Sequence, residues 1–217
     1  MTKRLKIISS LIGKGEVLAD VGCDHGIIAY TALKQKNFNR VIISDISAKS
    51  LEKARLLLKE FGASVKAIVC DGFSGYDEVP SVAVIAGMGG EEIYKILSSA
   101  PQIPNKLVLS PQKNSYLVRK FLIDNGYNPV CDYTIKDGKF YDIIVAEKGS
   151  AFYTENELLF GKDNIKHPSD EFIEKIKKES NFYNLLIKSG KLNDESLNEI
   201  KEKLQKIYEV LNEGKSN

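Results

Sequence analysis

Nothing in this chain is apolar for long enough to cross a membrane. The opening Met1-Thr2-Lys3-Arg4-Leu5-Lys6 leads into no extended hydrophobic run, so neither a signal peptide nor a membrane span is expected. Cysteine is scarce: Cys23, Cys70 and Cys131 are an odd number at wide spacings, with no CxxC pair. That argues against a disulfide or zinc framework, and predicts a metal-free protein of a reducing cytoplasm. Charge of one sign is also lacking, with a net of only +2. Split at residue 150, the first part carries 20 Lys+Arg against 16 Asp+Glu and the remainder 11 against 13. The surplus of positive charge therefore falls on the first part, which permits a polyanionic partner without demanding one. The last absence is the most informative, for no G-x-G-x-x-G follows any of the apolar runs.

What stands in its place is Val17-Leu18-Ala19-Asp20-Val21-Gly22-Cys23-Asp24-His25-Gly26: an apolar strand, a glycine turn and the start of a helical pattern. A strand–turn–helix of this kind points backbone N–H groups at a ligand. A dinucleotide fold needs bare backbone there to approach a pyrophosphate, whereas Asp24 would repel one. A phosphate-free ligand with a positive centre is favoured instead, and S-adenosylmethionine is such a molecule.

Further strand ends repeat the theme. Val41-Ile42-Ile43 runs into Ser44-Asp45-Ile46-Ser47, and Asp45 lies 19 residues after Gly26, where an acidic residue reaches ribose hydroxyls. Ser47 is the better cap for a helix over 48–60, which leaves Asp45 for the ligand. Val65–Val69 closes in Cys70-Asp71-Gly72-Phe73, where Asp71 can meet an adenine amino group and Gly72 leave room for the ring; an Asp-Gly turn is the competing reading. Val82–Ala86 enters Gly87-Met88-Gly89-Gly90, whose glycines favour close approach of the chain to a ligand. Leu107-Val108-Leu109 precedes Ser110-Pro111-Gln112-Lys113-Asn114.

Elsewhere, periodicity predicts helices over 3–12, 27–36 and 91–99, with Lys3, Arg4 and Lys6 exposed on the first and Gly13 and Gly15 ending it. Strands over 128–135 and 140–146 meet at Lys136-Asp137-Gly138-Lys139, a hairpin signal. Five αβ units ending in a hairpin give a mostly parallel seven-stranded sheet with one antiparallel strand. Beyond Gly149-Ser150, apolar residues at spacings of three and four predict two amphipathic helices over 170–189 and 193–212. The expected organisation is a Rossmann-like α/β domain over 1–150 and a helical hairpin domain over 151–217. The hairpin is read either as a solvated structural element or as an arm that grips a large substrate.

Together, Asp20-Val21-Gly22-Cys23-Asp24-His25-Gly26, Ala86-Gly87-Met88-Gly89-Gly90, the Ser-Pro-Gln after the fifth strand and the terminal helix pair resemble the TrmK family, bacterial tRNA adenine-N1 methyltransferases acting on A22. The resemblance covers nearly all of the chain. It implies the class I methyltransferase fold with a coiled-coil-like appendage, S-adenosyl-L-methionine as donor, S-adenosyl-L-homocysteine as product and tRNA as partner. It also implies a donor site of Asp20, Gly22, Cys23, Asp24, His25, Gly26, Asp45, Ile46, Asp71, Gly72, Ala86, Gly87 and Met88. The family carries a Gln-Pro-Asn-like loop after the fifth strand, and here target-base contacts fall on Pro111, Gln112 and Asn114. Asp24 is the catalytic candidate, either favouring the charge that develops on the base or holding the donor's ammonium. Arg40, Lys113, Arg119 and Lys120, with Lys3, Arg4 and Lys6, are candidate phosphate contacts, with ordinary solvation as the alternative, and a monomer is favoured. A methyltransferase of small molecules or proteins, a non-catalytic RNA-binding module and an NAD enzyme are the rival readings.

Overall fold

The computed structural model describes residues 1–213. Seven strands form one sheet in the order β3-β2-β1-β4-β5-β7-β6: β1 (Gly15–Val21), β2 (Phe38–Asp45), β3 (Val65–Val69), β4 (Val82–Ala86), β5 (Lys106–Ser110), β6 (Tyr127–Asp137) and β7 (Lys139–Lys148). All neighbours pair in parallel except β7, which runs antiparallel to both β5 and β6. The order reverses between β1 and β4, and that switch point is where open α/β sheets bind ligands.

The central strands are apolar over their middles because both faces are covered there, with the polar residues at their ends. On one face, Leu18, Val41, Ile43, Val84 and Val108 pack under helices α1 (Lys3–Leu11), α2 (Ile27–Lys34) and α3 (Ala48–Leu57). The alternate residues Ala19, Val21, Ala83, Ile85, Leu107 and Leu109 pack under α4 (Gly90–Ser99) and α5 (Ser115–Asp124). Phe172, Ile176, Ile207 and Val210 make a third, smaller cluster between the long helices α8 (Asp170–Lys188) and α9 (Asp194–Glu213).

Several expectations are corrected. The helix expected over 48–60 stops at Leu57, where Leu58 at φ −91° and ψ 3° leaves the helical region, and a 3-10 segment over Lys59–Ser64 follows, itself kinked at Gly62 (φ +50°, ψ −120°). Gly15 does not end the first helix; it opens β1, where a Cβ would lie 2.8 Å from the Phe38 ring. The hairpin strands run right up to Gly138, at φ +73°, with Asp137 paired to Lys139. Two short helices were not foreseen, α6 (Glu155–Phe160) and α7 (Lys162–Lys166), since neither completes two turns of apolar pattern. Arg4 is half-buried rather than exposed. Arg119 is wholly buried and no phosphate contact: its guanidinium pairs with Asp132 and Asp142 and donates to the carbonyls of Leu158 and Leu159.

Candidate functional site

A cavity of about 720 Å³ opens at the C-terminal ends of β1, β2, β3 and β4, at the switch point. Its size suits a ligand of nucleoside dimensions. The sequence-derived residues Asp20, Gly22, Cys23, Asp24, His25, Asp45, Ile46, Asp71, Gly72, Ala86, Gly87, Met88 and Gln112 all border it. Ile27, Ile28, Cys70, Glu92, Lys95 and Ile96 border it too, and sequence reasoning missed them; Arg4, expected on the surface as a phosphate contact, also borders it.

Asp20 forms the floor. It is the penultimate residue of β1, is 4% exposed, and accepts the backbone N–H of Ala29 in the first turn of α2 at 3.2 Å. Burial pushes its carboxyl up to about 7, against the Ala29 hydrogen bond and with help from the nearby Asp45. A half-neutralised buried carboxylate at a strand end is a site that favours a cation. Cys23 is buried beside it, and burial with the neighbouring Asp20 and Asp45 carboxylates pushes its thiol far above the ordinary range. It is therefore no nucleophile.

The turn above this floor is strained in a useful way. Gly22 (φ +68°), Asp24 (φ +46°) and Gly26 (φ +68°) are all left-handed. A Cβ on Gly22 would lie 2.5 Å from Met88 Cε, the movable tip of a flexible side chain, so it is the positive φ of the turn that calls for glycine there. Gly26 does not border the cavity; a Cβ there would meet Ala54 Cβ at 2.9 Å, so its place in the motif is helix packing. Asp24 is exposed at the rim. A carboxylate only accepts, so the 2.7 Å contact with His25 Nδ1 puts the proton on that nitrogen and fixes the tautomer.

Asp45 is less free than expected. Its Oδ1 accepts the N–H of Ser47 at 2.8 Å and its Oδ2 the N–H of Asp24 at 3.3 Å. Ser47 nonetheless caps α3 through the N–H of Ser50. Each Asp45 oxygen keeps a second lone-pair direction, enough for a ribose hydroxyl. Ile46 beside it is 75% exposed, an apolar side chain left uncovered at the cavity edge. Gly72 is buried, and a Cβ there would meet Ile96 Cγ2 at 2.9 Å.

The glycine loop after β4 divides by role. Gly87, at φ +92° with nothing within 4 Å of a notional Cβ, faces the cavity. Gly90 serves packing: a Cβ there would lie 2.1 Å from the Asn114 carbonyl oxygen. The β4 and β5 loops are zipped together by Gly90 N–H to Lys113 O, Gln112 N–H to Met88 O and Gln112 Nε2 to Gly87 O at 2.7 Å. Of the three residues expected to contact the target base, only Gln112 reaches the cavity. Pro111 is buried behind it, and Asn114 opens α5 with its side-chain amide donating to Glu91. All three border a second cavity of about 320 Å³ under α8 and α9, and Gln112 belongs to both.

A pyrophosphate carrier fits this site poorly, since Asp20, Asp24, Asp45, Asp71 and Glu92 face Arg4 and Lys95 alone among fixed charges. No group of His, Cys, Asp and Glu among the described residues is placed to hold a metal ion. No helix among them is long and apolar enough to cross a membrane.

Comparison with known proteins agrees with this chemistry. The profile of a family described as a methyltransferase domain matches residues 1–144. A Mycoplasma pneumoniae protein, provisionally named a tRNA methyltransferase, is 30% identical over 198 residues, which span 87% of this chain and 90% of that one. The tRNA (adenine(22)-N(1))-methyltransferase of Bacillus subtilis is 25% identical over 99% of this chain and 98% of its own. Streptococcus pneumoniae Sp1610, provisionally a tRNA (m1A22) methyltransferase and crystallised with S-adenosyl-L-methionine, superposes with a TM-score of 0.87 at 26% identity, over 97% of this chain and 99% of that one. The seven-stranded sheet, the acidic strand ends and these likenesses agree, and the chain belongs to the methyltransferase-domain family and, within it, to the TrmK family.

Proposed function

We propose that this protein transfers the methyl group of S-adenosyl-L-methionine to N1 of adenosine 22 in tRNA, in the cytoplasm. The observation that carries the donor half is the Asp20 floor, a buried carboxyl held near neutrality under a loop where bare glycine would serve a phosphate. A ligand carrying a sulfonium and an ammonium supplies the charge that this floor lacks. The donor, when bound, presents an electrophilic methyl group. The acidic lining favours the cationic donor over its neutral-sulfur product, which helps product leave.

The remaining roles follow from burial. Asp45 accepts a ribose hydroxyl, Asp71 an adenine amino hydrogen, and Ile46 covers a ring face. Gly22, Cys23, Ala86, Gly87 and Met88 supply close backbone and shape. Asp20 lies deep, where the donor's cationic end belongs, which leaves Asp24 at the rim for the incoming base. Adenine N1 already has an in-plane lone pair and needs no base to create it. Methylation leaves the ring positive, and a carboxylate beside the ring edge stabilises that charge as it develops. His25, its proton on Nδ1, orients the Asp24 carboxylate. Gln112 Nε2 is committed to Gly87 O, and its carbonyl oxygen accepts no hydrogen bond among the described residues, so it can receive the adenine N6–H. Positioning supplies much of the rate.

The test is transfer of labelled methyl from the donor to tRNA, with a transcript carrying G at position 22 as control. The expected result is label in the first and none in the second. Equal labelling of both, or labelling of metabolites only, would overturn the assignment. Asp24→Ala is expected to slow single-turnover transfer by about 100-fold or more while donor affinity stays within about threefold. Turnover near wild type would remove Asp24 from the chemistry.

A further inference from the structure

We infer that Arg4, on α1, is the anchor for the donor's α-carboxylate; this rests on the donor reading above and names its second, anionic contact. Four observations lead there. First, Arg4 borders the main cavity, and no carboxylate pairs with its guanidinium among the described residues. Second, its Nη1 is shut away from solvent and makes no hydrogen bond, although a half-buried arginine ordinarily pairs. Third, it is held instead by stacking, its guanidinium carbon 4.5 Å from the centroid of the Tyr141 ring. Fourth, its backbone is pinned: Thr2 caps α1, and the Arg4 N–H donates to Asp137 Oδ2 at 2.9 Å across the β6–β7 turn. A side chain pinned at its root, stacked on one face and lacking an acceptor is pre-set for a ligand that brings one.

The position selects which part of the ligand that is. Helix α1 packs on α2, and its Leu5 meets the cavity beside Ile27 and Ile28, the residues that follow the Gly22–Gly26 turn. That is the end of the cavity built on the β1 loop, where the donor's amino-acid portion lies if its adenine is at Asp71. The other cation, Lys95, shares α4 with Ile96, which packs on Gly72 at the opposite end. In a cavity with five carboxylates, Arg4 is thus the one cation placed at the β1 end. A planar carboxylate matches the guanidinium fork with two parallel hydrogen bonds, whereas a lysine would act only as a point charge. The zwitterionic amino acid is then read twice, its ammonium by the aspartates and its carboxylate by Arg4.

Isothermal titration of wild type, Arg4→Gln and Arg4→Lys with two probes tests this. The probes are S-adenosyl-L-methionine and its decarboxylated analogue, which lacks only the group in question. Wild type is expected to prefer the intact donor. Arg4→Gln is expected to lose about 10- to 100-fold in affinity for it, the range of one charge-assisted pair, with the analogue unchanged. Arg4→Lys should recover part of the preference. Tyr141→Leu, which removes the stack but leaves the charge, should give a smaller loss with the same selectivity. Equal losses on both probes, or no loss on either, would overturn the assignment. So would a variant whose only defect is a raised KM for tRNA, which would place Arg4 on an RNA phosphate. If wild type binds neither probe, the donor reading itself fails, an outcome distinct from normal binding by wild type and variants alike.

Discussion

At the scale of single residues, the decisive group is Asp20. Its carboxyl ionises near 7 in the folded protein against about 3.8 in an open chain, so the folded state holds the extra proton between those values. Stability therefore falls as pH rises through that window, the reverse of a salt-bridged aspartate. Asp20→Asn, which imitates the protonated form, is expected to match wild type near pH 4 and to exceed it by a few kcal/mol above pH 7, at about 1.36 kcal/mol per unit. Urea unfolding at both pH values checks this. A constant difference between the two proteins would show that the carboxyl is not held protonated. The same variant should bind donor more weakly. The strand-end aspartates were legible because each closes an apolar run, and a carboxylate there has few structural reasons to exist. Arg4 was not, because a basic residue among Lys3 and Lys6 on a short helix reads as a solvated face. Its stacking partner, Tyr141, lies at the other end of the sheet domain's sequence.

Elements show a different division between what could and could not be read. The bounds of β4 follow directly from its apolar run, since a strand covered on both faces has no polar residue to blur its ends, whereas β3, at the sheet edge and carrying Lys66, is delimited by the Cys70-Asp71-Gly72 turn that closes it. The glycine loop after β4 was legible as a close approach but not as to what approaches. Gly87 serves the cavity, whereas Gly90 lets α4 reach the carbonyls that precede α5. Gly90→Ala places a methyl 2.1 Å from the Asn114 carbonyl oxygen and must push the two loops apart. We expect a loss of about 2–4 kcal/mol in unfolding free energy, with Gln112 displaced and transfer impaired. Gly138→Ala, at a hairpin tip with open space around it, should cost about 1 kcal/mol from its positive φ and leave transfer intact. Comparable losses in both variants would contradict the packing role. Helices α6 and α7 went unread for want of periodicity, although they hold the sheet to the helical arm.

The whole molecule is joined at that point by a buried ionic cluster. Arg119 on α5 donates through Nε and Nη2 to Asp132 on β6 and through Nη2 to Asp142 on β7, while Lys175 on α8 reaches Asp142 at 2.9 Å. Burial alone would push Asp142 up, but Lys175 and Arg119 outweigh it and hold its carboxyl well below the usual carboxylate range. The N–H of Asp132 donates to Asp163, and that of Thr134 to Asn164. The edge strand β6 is thus closed by side chains from beyond residue 150. We propose that residues 1–150 do not form an independent domain: a fragment ending there leaves Asp132 and Asp142 short of partners. Such a fragment should lose cooperative unfolding, and Arg119→Met in the full chain should cost about 3–5 kcal/mol by stranding two buried carboxylates. A fragment that folds and binds donor like the full chain would contradict this. The boundary expected at 150 rests on a change from αβ alternation to helical spacing, and a sequence pattern does not reveal which charges are shared across it.

The account as a whole depends on the cavity at the ends of β1 and β4 delivering a methyl group to one ring nitrogen of one nucleotide. Mass-spectrometric mapping of unmodified tRNA, incubated with the pure protein and S-adenosyl-L-methionine, tests that most directly. The predicted result is a single added methyl, located at N1 of adenosine 22 and formed about 100-fold more slowly with Asp24→Ala. A methyl at another position or atom, or an unmodified tRNA recovered from a protein that binds the donor, would contradict it.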